Sequence, residues 1–243
     1  MAMPRTLHRV VAVAGATAIA ATLTIGAAIA PAGAASKDAQ LAEEGVIVAS
    51  DVPATWDSTP PDDSGDKALD KIAKSISGCK AYLAAKKTND KAPNAESRDF
   101  TSGDEDLSNK VWVFPTEKAA KKAFAGMADE TNADCIQEVF QEALDQQLGS
   151  DPSIADVRVA IVQTDDLPSL GDDIIGYTGG AEFTATDGST ERLLLVNVII
   201  RVGRSLISYS ISGPPAASGF STSFNAAIDS AIGATITRME DAL

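Results

Sequence analysis

Residues 192–212 read Arg192-Leu193-Leu194-Leu195-Val196-Asn197-Val198-Ile199-Ile200-Arg201-Val202-Gly203-Arg204-Ser205-Leu206-Ile207-Ser208-Tyr209-Ser210-Ile211-Ser212, and the fold turns on this stretch. Leu194, Val196, Val198, Ile200 and Val202 line one alternating face, while Leu193, Leu195, Asn197, Ile199 and Arg201 line the other. Period 2 with β-branched enrichment predicts a strand over 192–202, and a second face that is only partly polar predicts a central strand with helix cover. Gly203-Arg204 is a two-residue turn signal, so 205–212 returns as an antiparallel neighbour.

The pattern continues on both sides of this hairpin. Upstream, an Asp187-Gly188 turn leads back to a candidate strand over 181–186, and Val157, Val159 and Ile161 alternate with Arg158, Ala160 and Val162, with a Pro/Gly/Asp loop over 165–173 between. Downstream, Pro214 and Pro215 stop the sheet, and Phe220, Phe224, Ala227, Ile228, Ala231, Ile232, Thr235, Ile236 and Met239 recur at helical spacing. Nearer the N-terminus, Leu69, Ile72, Ala73 and Ile76 predict a short helix over 66–77 that Gly78 ends. Candidate strands at 98–101 and 111–114 flank a turn over 103–106. Thr116 caps a helix that turns Ala119, Ala120, Ala123, Phe124 and Met127 inward, and a second helix from Asp134 buries Ile136, Val139, Phe140, Ala143, Leu144 and Leu148. Short turns cannot make parallel crossovers. The order therefore predicts an α+β domain over 65–243, a mainly antiparallel sheet covered by helices.

Residues 1–35 carry Arg5 and Arg9 and no acid, then an apolar run from Val10 to Ala30, then Ala32-Gly33-Ala34. That is the secretory signal pattern, and it predicts cleavage near Ala34 or Ala35 and an extracytoplasmic, secreted product with no stable membrane insertion afterwards. The alternative is a retained single-span anchor. Residues 36–64 are rich in Asp, Pro, Ser and Ala, which predicts a flexible mature start and a lead-in loop, with Val46-Ile47-Val48 as a short strand or docking segment. Cys79 and Cys135 are the only cysteines, and an even pair in an exported chain predicts one disulfide, with two buried thiols as the alternative.

The chain of 243 residues has Lys+Arg 20 against Asp+Glu 34, a net charge of -14, which opposes binding to nucleic acid. His8 is its only histidine, so loss of the leader leaves no imidazole for a Ser-His-Asp triad or a His-ligated zinc site. No catalytic motif, metal set or cofactor motif stands out. Ser64-Gly65-Asp66-Lys67 fits S-x-x-K, but its companion motifs are missing, and it reads as a helix cap by Ser64 or Asp66 with Lys67 solvated. The acidic pairs Asp62-Asp63, Asp104-Glu105-Asp106, Asp165-Asp166 and Asp172-Asp173 lack calcium-loop spacing, and the glycines of Gly176-Tyr177-Thr178-Gly179-Gly180 lack the Lys and helix of a phosphate cradle.

Several short motifs carry a likeness to a known family. They are Asp51-Val52-Pro53-Ala54-Thr55-Trp56, Val111-Trp112-Val113-Phe114-Pro115 before an alanine-rich helix, Cys135 in the next helix, the loop over 167–173, and the hairpin over 198–204. Together they resemble the PknH-like extracellular sensor domains of actinobacteria, as a stand-alone exported member. The resemblance implies a helix-covered sheet with a cleft and a sensor-like, ligand-binding role without catalysis. Kinase-borne members carry two disulfides, whereas this chain can make one.

The expected function is therefore binding of an unidentified small molecule, lipid or peptide of the cell envelope, with no cofactor. Trp56, Trp112, Tyr177, Arg201, Arg204 and Tyr209 are the candidate ligand-binding residues, because guanidinium groups suit carboxylate or phosphate and aromatic rings supply stacking. The alternatives are an exported hydrolase using carboxylates or the Ser64–Lys67 pair, and a structural envelope interaction protein.

Overall fold

The computed structural model describes residues 36–61, 64–149, 151–165, 167–216 and 219–243, with the side chains of 64–66 left aside. The leader, Asp62-Asp63, Asp166 and the Ser64 hydroxyl fall outside the described residues.

Eight strands form one antiparallel sheet: β1 (Asp57–Thr59), β2 (Asn94–Glu96), β3 (Asp99–Ser102), β4 (Glu105–Val113), β5 (Ile154–Thr164), β6 (Asp173–Ala185), β7 (Thr190–Val202) and β8 (Ser205–Gly213). The spatial order is β1-β3-β4-β8-β7-β6-β5, and β2 pairs with β4 beside β3. The central hairpin forms as its sequence predicts, with Val198 opposite Tyr209 and with Gly203 taking the positive φ (53°) of the turn. The helices are α1 (Lys37–Glu44), α2 (Ser64–Ser75), α3 (Lys80–Asn89), α4 (Glu117–Met127), α5 (Thr131–Leu148) and α6 (Thr222–Ala242).

Alternation on the strands sorts them into two apolar faces. Val111 and Val113 of β4, Ile207, Tyr209 and Ile211 of β8, and Val198, Ile200 and Val202 of β7 pack against α1 and α6. On the other side, Leu193, Leu195 and Ile199 of β7, Ile175, Tyr177 and Phe183 of β6, and Val159 and Ile161 of β5 pack against Phe140, Leu144 and Leu148 of α5. Each large side chain buried this way contributes roughly 1.5–3 kcal/mol, which is why both faces of the central strands are apolar. The result is an α+β fold of three layers.

Cys79 and Cys135 are disulfide-bonded. The bridge ties the 3-10 turn Ser77–Cys79 to α5 inside a cluster with Ile72, Ala73, Tyr82 and Val139. Among the described residues, no helix is long and apolar enough to cross a membrane.

Several elements differ from the sequence reading: β1 and β2 are short strands it does not contain, and Glu105 and Asp106 of the expected turn belong to β4. Segment 36–61 contains α1 and docks on the sheet through Leu41, Ala42, Ile47 and Val52 in place of a loose lead-in. Its Val46-Ile47-Val48 stretch is the docking segment and not a strand: the Ile47 N–H donates to Asn109 Oδ1 at 2.8 Å. Past Gly78 the chain continues into α3, whose buried face includes Lys86 and Asn89 as well as Tyr82 and Ala85, so no apolar stripe marks it. β6 starts at Asp173, because the glycines that break its alternation lie within the strand. A Cβ on Gly179 would stand 1.9 Å from the Ala160 carbonyl oxygen, and one on Gly180 would stand 2.1 Å from that of Leu193. Glycine is required there by close backbone approach and not by a turn.

Candidate ligand-binding cleft

The six residues singled out from sequence do not converge. Tyr209 is fully buried on the α6 face, its hydroxyl is hydrogen-bonded to Thr235 Oγ1, and burial raises its pKa. Tyr177 lies on the opposite face, where its hydroxyl donates to the Met127 carbonyl and burial pushes its pKa up to about 12. Trp112 is 3% exposed among Ala92, Phe114, Ala120, Ala123 and Leu206. Trp56 stacks on Phe224 with ring centroids 5.0 Å apart and anchors its loop. Strand alternation aims Trp112, Tyr177 and Tyr209 into faces that helices cover, which removes all three from an open cleft.

Both arginines are occupied by the fold. Arg201 pairs with Asp172 and Asp173 and donates to the Gly203 carbonyl, within a polar recess that Glu117 and Glu240 also line. Arg204 pairs with Asp38 at 2.8 Å and donates to the Phe114 carbonyl at 3.0 Å. The acidic pair Asp172-Asp173 thus holds an arginine, and Gly176–Gly180 belongs to β6 and not to a phosphate loop. Lys67 lies exposed on α2.

An open cleft of about 470 Å³ lies across β5, β6 and β7, on the face that α6 covers only over β4, β8 and part of β7. Strand register builds it in rows. Arg158 sits opposite Glu182, which sits opposite Arg192; the next row is Ala160, Gly180 and Leu194; the row after is Val162, Thr178 and Val196. Alanine and glycine leave a trough beside the charged row, and Leu194 and Pro215 also line it. Arg192 is held by Glu182 at 2.7 Å and Arg158 by Asp156 at 2.8 Å, and all four side chains keep substantial solvent exposure. In the row beyond the floor, Val162 is 59% exposed. The cleft can hold an apolar body on its floor and an anionic group at the guanidinium row.

A second polar region runs beneath the helices of the opposite face. Lys110, fully buried, reaches Glu96 at 3.2 Å, and Lys86 pairs with Asp70. Burial raises the Asp90 carboxyl against the lowering pull of Lys86 and Lys110. Farther along the sheet, Asn197 Nδ2 donates to Ser208 Oγ at 2.9 Å and to the Tyr209 carbonyl at 2.8 Å. The signal for this strip is legible in β8, where Ser208, Ser210 and Ser212 alternate with Tyr209 and Ile211. The cleft residues Arg158, Glu182 and Arg192 had no such signal, because only the register brings them together.

No family model matches this sequence, and no curated protein shows significant similarity to it.

Proposed function

We propose that this protein is an exported, sensor-like binding domain whose ligand occupies the trough across β5, β6 and β7. The observation that carries the reading is the Ala160–Gly180 floor between the Arg158–Glu182–Arg192 row and the Val162–Thr178–Val196 row. The groups it presents hold a molecule by apolar contact and charge-assisted hydrogen bonds, which favours binding over chemical conversion. The resemblance of the sequence motifs to PknH-like sensor domains points the same way. The leader pattern and the disulfide support an extracytoplasmic setting.

Thermal unfolding of the chain from residue 36, with and without envelope lipids, short peptides and small carboxylates, tests the reading. A ligand that binds the folded state raises the midpoint by mass action. Leu194→Trp, which fills the trough, should abolish the rise. A panel with no response, or a response that survives Leu194→Trp, contradicts the proposal.

A further inference from the structure

The two edges of the sheet are finished in different ways. At one edge β1 has three residues and is followed by Pro60 and Pro61, which have no N–H to offer a further strand. At the other, β5 has eleven residues and, among the described residues, no strand on the side away from β6. A strand of that length presents a row of backbone groups to any extended chain.

Helix α5 takes up three of those groups. The Val159 N–H donates to Gln141 Oε1 at 2.9 Å, and Gln141 Nε2 donates to the Val157 carbonyl at 2.9 Å. The Ile161 N–H donates to Gln137 Oε1 at 3.1 Å. One glutamine amide thus donates to the residue before Arg158 and accepts from the residue after it, the bonding pattern of a residue in a neighbouring parallel strand. Gln141 Nε2 also donates to Asp145 Oδ1 at 3.0 Å, which fixes the amide in that orientation.

We propose that Gln137 and Gln141 are a plug standing in for a further strand, and that without it β5 is an interface for a second copy of this chain. The occupant follows from charge. Two β5 strands related by a two-fold axis and paired antiparallel about Val157 use the Val157 carbonyl and the Val159 N–H that Gln141 now holds, while Ile161, held by Gln137, lies just past the paired span. That register puts Arg158 of each copy opposite Asp156 of the other, two opposite-charge pairs across the axis. In the single chain the two side chains are solvent-exposed and pair with each other at 2.8 Å, so in the dimer the four charges alternate in sign across the axis.

Analytical ultracentrifugation over a concentration series tests the proposal on the intact disulfide-bonded chain. The parent sediments as a monomer. Gln137→Ala/Gln141→Ala dimerises, as does Gln137→Ser/Gln141→Ser, a second way to clear the edge if the alanine variant folds poorly. Adding Arg158→Asp to the unplugged variant weakens the dimer by about tenfold, since two cross-strand pairs become like-charged. Further addition of Asp156→Arg restores it. Unplugged variants that stay monomeric, or a dimer indifferent to the charge changes, overturn the proposal. Amide exchange on the parent is an independent check: Val159 and Ile161 exchange as slowly as the amides bonded to β6, and fast exchange at both also overturns it.

Discussion

Arg238 and Asp51, 187 residues apart, form a two-bond ion pair: Nη1 to Oδ1 and Nη2 to Oδ2, each 2.8 Å. The same guanidinium donates to the carbonyls of Glu44 at 2.9 Å and Val46 at 2.8 Å, so one side chain of α6 fastens both the end of α1 and the segment after it. The Val48 N–H closes the arrangement by donating to Asp51 Oδ2. A planar fork suits this set of acceptors, and an ammonium does not.

Arg238→Ala should therefore cost about 2 kcal/mol in denaturant unfolding, the loss of charge-assisted bonds whose carboxylate partner is largely buried. Arg238→Lys should recover less than half of that. A cost near zero for the alanine variant would show that segment 36–61 is held by its apolar contacts alone.

Reducing the Cys79–Cys135 bridge, or replacing both residues with serine, should destabilise the fold by about 4 kcal/mol on the chain-entropy account. The midpoint in urea reads this directly. Equal midpoints with and without reductant would contradict it.

Asp90 supplies a pH test. Its carboxyl is raised above the ordinary carboxylate range by burial, and its Oδ1 has no hydrogen-bond partner. A carboxyl with a higher pKa folded than unfolded binds its proton more tightly in the folded state. Stability is therefore lost as pH rises from the unfolded value through the folded one. Asp90→Asn should be more stable than the parent at neutral pH, with the difference vanishing as acid protonates Asp90. A constant difference across that window would argue against the assignment.

Gly180→Ala should destabilise by about 1–3 kcal/mol, because its Cβ would meet the Leu193 carbonyl oxygen in the middle of a sheet. Gly233→Ala is the matched control: a Cβ there meets nothing within 4 Å, and the exchange favours the helix. Calorimetry should separate the two in opposite directions.

How much of this was legible in the sequence follows from the kind of signal each part carries. β7 and β8 were readable because Leu194 to Val202 and Ile207 to Ile211 alternate without interruption, and that alternation fixed the layered α+β arrangement. α3 was not, because Lys86 and Asn89 sit on its buried face. Tyr209 and Tyr177 read as site residues because an aromatic ring can stack on a ligand, but strand alternation turns both rings into helix-covered faces. Their hydroxyls are satisfied internally, by Thr235 and by the Met127 carbonyl. The trough was invisible for a different reason. Arg158, Glu182 and Arg192 are scattered in sequence, and a one-residue slip in register would place them on the opposite face.

The most direct test of the binding account is amide-resolved NMR of the ligand-bound chain, using whichever probe raises the unfolding midpoint. The account predicts that shifts concentrate at Ala160, Gly180, Leu194 and the Arg192 guanidinium, and leave the buried Asn197–Ser208 strip unmoved. Shifts confined to that strip, or to the recess around Arg201, would contradict it.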